Sequence, residues 1–211
     1  MQFCGITAQF GEGAITYKLA NQRPKFCVQA TPPHITREQL IAACMEAFGR
    51  WSAVCDVVFA PTDDANAAQF LVFTHPFDGP SGVLADCALP SPGMRQQEMR
   101  IDPSERWVIS DNPPPGSLDL LAVLCHEIGH GIGLQHFPSG PPPELMEPVY
   151  NASIVRPQAT EAAYASKLYG PPQTQPTPTP VPPLGDSIGV DLILTQGNVR
   201  YRAQGNAKRV A

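Results

Sequence analysis

No stretch of eighteen apolar residues occurs anywhere in the 211-residue chain, so no segment is long enough to span a bilayer as a helix. Basic runs are also missing and the formal charge is −5, which argues against nucleic acid as a partner. The opening residues MQFCGITAQF carry neither a basic flank nor a long apolar stretch, so no signal peptide is legible there. Histidine is scarce, with five in all, and three of the five fall in one run, HEIGHGIGLQH, from His126 to His136.

That run has the spacing of a metal site. Residues four apart on an α-helix lie one above the other, so His126 and His130 can grip one ion together. Gly133 is free to take the left-handed backbone that ends the helix. The chain then swings back to bring His136 in as a third ligand. Three imidazoles leave the fourth position of a tetrahedral zinc for water, as a hydrolytic zinc requires. Glu127, beside the first ligand, is placed to take that water's proton, and Met146 follows in ELMEPVY. The bland alternative is three histidines on a polar helix face. A short HExxH match would leave that open, but the longer pattern, with its glycine and third histidine, favours the metal.

The composition shifts near Gly170. Residues 1–170 alternate helical and strand patterns, 171–186 form a proline-rich linker, and 187–211 form a tail too short to bury a core alone. The tail reads as a docking strand or the first piece of a further module. Within the first domain, AITYKLA (14–20) alternates like a strand, and DVVFA and FLVF read as short buried strands. A helix follows Thr36 as cap, with Leu40, Ile41, Cys44, Phe48 and Trp51 inward. Ser117 is the expected cap of the helix that carries His126, and a last helix runs from about Glu161 to Tyr169. Of six cysteines, Cys87 and Cys125 read as small buried thiols, and Cys4 with Cys27 is the candidate bridge.

In order along residues 12 to 170 stand ITYKLAN, FGRWSAV, FDGPSGVLADCALP, IDPSERW, HEIGHGIGLQH, LMEPVY and LYG. This series resembles the catalytic domain of the matrix metalloproteinases, the matrixins, within the metzincin zinc proteases. The resemblance implies an α/β fold: a twisted five-stranded sheet, mostly parallel with one antiparallel edge strand, and three helices. The edge strand would be SGVLADC, with the active-site cleft beside it and an extended peptide pairing with Leu84 and Ala85. Met146 would floor the three imidazoles. Pro148, Val149 and Tyr150 would wall the pocket for the P1′ side chain, and Ala122 would set its depth, unless Ala122 only packs the helix. A small alanine implies a deep pocket for leucine or larger apolar groups.

The same resemblance implies a calcium ion held by Asp78, Asp102 and Glu105 with the main-chain oxygens of Gly79, Ser81 and Val83. A second, structural zinc is not expected. Where the family places histidines this chain has Asp86 and Arg100, with only His75 left in the preceding loop, and an Asp86–Arg100 ion pair is expected instead. Cys4–Gly5 matches the family's zinc-blocking propeptide stretch poorly. A monomeric zinc endopeptidase acting on peptide or protein substrates, secreted or extracellular, is the implied function. A peptide-binding or adhesive module with a relic zinc site, on a proline-rich stalk, is the alternative, although the intact Glu127 argues against it. A structural component of a larger assembly, cleaving only itself or a partner, is a third reading.

Overall fold

The computed structural model describes residues 18–110 and 112–173, and the backbone of 187–196 and 199–208. The chain divides into two units, 1–173 and 174–211.

In the first unit a strand β1 (Lys25–Val28) leads to helix α1 (Arg37–Ser52). Thr36 caps α1: its hydroxyl accepts from the Gln39 N–H at 3.2 Å and the Gln39 side chain accepts from the Thr36 N–H at 2.8 Å. That reciprocal pair satisfies two N–H groups that would otherwise lack partners, and so fixes where the helix begins. Then come β2 (Ala60–Pro61), β3 (Phe70–Thr74), β4 (Ala85–Cys87) and β5 (Gln97–Ile101). A two-strand bridge, β6 (Trp107–Val108) with β7 (Leu118–Asp119), precedes helix α2 (Leu120–Gly131), and helix α3 (Ala159–Tyr169) closes the unit.

The five-stranded sheet runs β2-β1-β3-β5-β4. Every pair is parallel except β4 with β5, where Asp86 stands opposite Arg100. The antiparallel strand therefore lies at an edge, as expected, and one side of its backbone has no strand beside it within the sheet.

The core lies between sheet and helices. Phe48 of α1 stacks on Phe59 at 3.8 Å, and Phe59 meets Phe70 of β3 edge-on at 5.4 Å. Trp51 is fully buried and its indole N–H donates to the Cys125 carbonyl at 2.8 Å, tying α1 to α2. A Cβ added to Gly131 would stand 2.4 Å from a Phe70 ring carbon, so only glycine lets α2 approach the sheet this closely.

Four expectations need correction. Lys18–Ala20, the described end of AITYKLA, are not strand, and the remainder lies outside the described residues. The first strand of the described residues is Lys25–Val28 instead. The segment 56–60 contributes only Ala60 to a strand; Val57 and Phe59 are buried but outside the ladder. Ser117 is not the cap of α2: its hydroxyl donates to the Pro114 carbonyl, and Asp119 caps the helix. Cys27 is a free buried thiol, as are Cys44, Cys55, Cys87 and Cys125. The bridge to Cys4 is thus not formed, and Cys4, with any zinc-blocking role, lies outside the described residues.

The second unit is a two-stranded antiparallel ribbon, β8 (Ser187–Gln196) with β9 (Val199–Lys208), in register from Ser187↔Lys208 to Gln196↔Val199.

Candidate metal centre and cleft

Helix α2 carries the centre, and its start is fixed by a residue that pattern reading passed over. The buried Asp119 carboxylate accepts from the N–H groups of Leu121 at 3.0 Å and Ala122 at 3.2 Å, and from Ser110 N–H at 3.3 Å. Its own N–H donates to the Tyr150 hydroxyl at 3.0 Å, which joins the start of α2 to the segment after Met146. An Asp directly ahead of an apolar run was the available signal. The far end is finished by side chains. The Gln97 amide donates to the Gly131 carbonyl at 2.7 Å, and the Tyr169 hydroxyl to the Ile132 carbonyl at 2.6 Å. Gly133 has φ 103°, the positive value expected of it, and its N–H donates to the His130 carbonyl.

Beyond that turn His136 joins His126 and His130. The ring centroids stand 4.8, 5.3 and 4.7 Å apart, and each of the three offers a ligand atom within 4.8 Å of the others. Among the described residues no other set of three acids, cysteines or histidines converges in this way. The Leu145 carbonyl lies 2.7 Å from His126 Nδ1 and the Leu134 carbonyl 2.8 Å from His130 Nδ1. A carbonyl can only accept, so both Nδ1 atoms carry the hydrogen and both Nε2 atoms present lone pairs. Those two Nε2 atoms are 3.1 Å apart. Two bare lone pairs at that distance repel; two ligands of one tetrahedral zinc, at about 2.0–2.1 Å each, would stand about 3.3 Å apart. Burial, then the neighbouring imidazoles, keeps both rings neutral: His126 is held well below the usual histidine range and His130 is lowered to about 3. Neutral imidazole is the ligand form, so the donor set fits zinc.

Met146, the expected floor, is fully buried and lies against α2 at Gly129. A Cβ on Gly129 would lie 2.3 Å from its sulfur and 2.9 Å from the Trp51 ring. The Met146 carbonyl accepts from Phe137 N–H at 2.8 Å, and its N–H donates to the Glu161 carboxylate. Glu161 also accepts from Gln158 N–H at 2.7 Å, so one buried acid caps α3 and holds the methionine turn. Burial pushes it up to about 7, against the lowering effect of those N–H groups. The spacing of Gln158 and Glu161 was a legible capping signal; the reach to Met146 was not.

Glu127 is fully buried beside the triad, and neither of its oxygens makes a well-formed hydrogen bond within the protein. Burial first and the charge of Asp86 second raise its pKa well above the carboxylate range, while the Cys87 amide pulls it down. A buried acid with two uncommitted oxygens is costly unless something else meets them there.

Around the centre, Leu84 and Ala85 are buried, and the Leu84 carbonyl accepts from Asp102 N–H at 2.9 Å inside the sheet. Ala122 is buried in the first turn of α2; Pro148 and Tyr150 are partly buried and Val149 is 51% exposed. Asp78 accepts from Val83 N–H at 3.0 Å, Asp102 from Phe77 and Ser104 N–H, and Glu105 from Ser81 N–H at 2.6 Å. Gly79 and Ser81 both have positive φ, and a Cβ on Gly82 would strike the Asp78 carboxylate. Burial and the charges of Asp102 and Asp78 raise the pKa of Glu105, but the three acids do not converge as the histidines do. A surface cavity of about 750 Å³, lined by Lys18, Asn21, Met94 and Gln97 among others, contains none of the histidines, Glu127 or the expected substrate and calcium residues. No helix among the described residues is long and apolar enough to cross a membrane.

The family model of the matrixins matches residues 14–170. Stromelysin-3 of Mus musculus is 33% identical over 168 residues, covering 76% of this chain and 33% of that protein. Matrix metalloproteinase-16 of Homo sapiens is 31% identical over 186 residues, 80% of this chain and 28% of the relative. Matrix metalloproteinase-C of Caenorhabditis elegans is 30% identical over 147 residues, 63% and 25% respectively. The chain thus spans about a third or less of the length of these relatives.

Proposed function

The chain belongs to the matrixin family, and from that premise we propose that it is a zinc-dependent endopeptidase that hydrolyses peptide bonds in extended protein substrates. The observation that carries this is the pairing of three convergent imidazoles, two of them held neutral by burial, with a buried carboxylate whose oxygens make no well-formed hydrogen bond within the protein. His126, His130 and His136 would hold the zinc, which would supply a Lewis acid able to lower the pKa of water from about 16 toward about 7. Glu127 accepts the water's proton and delivers it to the leaving amine. No side chain acts as nucleophile.

A substrate strand lies along β4. The Leu84 carbonyl is spent within the sheet, and alternation along an antiparallel ladder turns the next peptide group outward. Ala85 is therefore the main rail, its N–H and carbonyl both turned outward, while the main chain of Leu84 beside it faces the sheet. Main-chain pairing of this kind tolerates most side chains, which leaves selection to the P1′ pocket. Pro148, Val149 and Tyr150 wall that pocket, and the small Ala122 leaves it deep. A calcium ion drawn in by Asp78, Asp102 and Glu105, with the carbonyls of Gly79, Ser81 and Val83, would relieve the mutual repulsion that raises Glu105. Action outside the cell, with residues 171–186 as the tether between the catalytic unit and the tail, completes the proposal.

The test is a set of quenched fluorescent peptides that differ only at P1′. Leucine or a larger apolar residue should be cleaved at least tenfold faster than alanine or glycine, measured as kcat/KM. A preference for alanine or glycine would overturn the deep-pocket reading, and no cleavage of any member would count against the peptidase itself.

A further inference from the structure

Four side chains join across the front of the sheet. Arg100 of β5 stands in register with Asp86 of β4. Its Nε donates to Asp86 Oδ1 at 2.8 Å and its Nη2 to Oδ2, a two-pronged match of guanidinium to carboxylate. On the other side its Cζ lies 5.5 Å from the centre of the Phe77 ring, a cation over an aromatic face. Phe77 in turn meets His75 edge-on at 5.1 Å. The backbone of the same loop is tied in by His75 N–H to the Ile101 carbonyl at 2.9 Å and Phe77 N–H to Asp102 at 3.1 Å.

This set does not fit a second, structural zinc. Both Asp86 oxygens are taken by Arg100, a permanent cation occupies the place of a donor, and His75 is the one imidazole nearby. A divalent ion would meet one histidine and a positive charge, where a structural zinc needs four donors. The work such an ion would do still has to be done. Strand β4 is three residues long and pairs with β5 alone, so side chains must help to hold it.

We propose that Asp86, Arg100, Phe77 and His75 form a metal-free clasp that fastens the loop 75–84 and edge strand β4 to the sheet, with Asp86 and Arg100 as positioning residues for the substrate strand. This rests on the endopeptidase reading only where it concerns substrate. Arg100→Ala loosens the strand that pairs with the substrate before and during reaction alike, so it weakens binding uniformly and shows in KM rather than kcat.

The test uses the full chain, loaded with zinc and desalted. Zinc content should be one per chain in the parent and in Arg100→Ala. In Arg100→Ala, Tm should fall by about 2–4 °C, since the pair is only partly buried, with side chains 34% and 18% exposed. KM for a cleaved peptide should rise three- to tenfold with kcat changed less than twofold. The exchanged pair Asp86→Arg with Arg100→Asp should recover at least half of both effects, and Arg100→Lys, which keeps the charge but loses the fork, should lie between. Two zinc ions per chain, an unchanged Tm and KM in Arg100→Ala, or no recovery in the exchanged pair would each overturn the clasp. If no peptide is cleaved, the zinc count and Tm still decide on the clasp while the endopeptidase reading fails alone.

Discussion

Gly129 stands between two zinc ligands on α2, and replacing it with alanine should disturb the centre although alanine is the better helix former. Propensity alone predicts a gain of about 1 kcal/mol for Gly129→Ala in a helix interior. Packing predicts the reverse. The added Cβ would sit 2.3 Å from the Met146 sulfur and 2.9 Å from the Trp51 ring, both closer than any real contact. Met146 is fully buried, and Trp51 is pinned by its 2.8 Å bond to the Cys125 carbonyl, so neither can move without cost. Overpacking of this kind costs about 1–3 kcal/mol, and loss of the glycine's own entropy cost offsets part of it. The net expectation is a loss of up to about 2 kcal/mol, or up to roughly 6 °C in Tm for a domain of this size. Because Met146 meets α2 at Gly129, next to His130, its displacement should lower zinc affinity at least tenfold as well. Thermal melts of the zinc-free and zinc-loaded forms, with competitive zinc titration, measure both. An alanine variant as stable as the parent, with unchanged zinc affinity, would refute the reasoning.

Other consequences follow from single residues. Asp119→Ala removes the cap of α2 and leaves two buried N–H groups and a partly buried one short of an acceptor, so it should cost about 2 kcal/mol, at the upper end for a helix cap. A change in Tm below 2 °C would contradict the capping role. Glu161 titrates near 7 in the fold against 4.5 for the free group, so its contribution to stability is complete below about pH 4.5 and declines as pH rises to about 7, by at most about 3 kcal/mol. The lowered histidines act in the opposite sense, losing stability as pH falls below their unfolded value near 6.5. They are common to parent and variant, so the difference in Tm between parent and Glu161→Gln across pH 4.5–7.5 isolates the acid; parallel curves would rule it out. Zinc-loaded protein treated with a chelator should lose all cleavage and regain it on addition of zinc, and loss that zinc does not restore would point away from a metal at the three histidines.

The parts of this protein that were legible in sequence are those set by local rules. Thr36 and Gln39 are three apart and cap α1 by themselves, and the spacing of His126 and His130 on one helical face needs no tertiary information. The opposed charges at 86 and 100 could be paired once those positions were placed on neighbouring strands. What escaped depends on neighbours distant in sequence. KFCV is four residues with a lysine at its head and no alternation, and it is a strand because β2 and β3 flank it; AITYKLA alternates, yet its described end is not strand. Ser117 and Asp119 are both good capping residues two positions apart. The choice between them is made by the β6–β7 bridge, which holds Asp119 at the helix entrance. The need for glycine at 129 and 131 comes from Met146, Trp51 and Phe70, which no local pattern brings together.

The central claim is that three imidazoles hold a zinc ion and that Glu127 acts beside it without being a ligand. Zinc affinity and peptide turnover measured on the same preparations of the parent, Glu127→Ala and His136→Ala test it most directly. The account predicts that Glu127→Ala binds zinc within a few-fold of the parent while kcat falls by about 10²–10⁴, and that His136→Ala loses both. Glu127→Ala that cleaves within threefold of the parent, or His136→Ala that binds zinc undiminished, would contradict it.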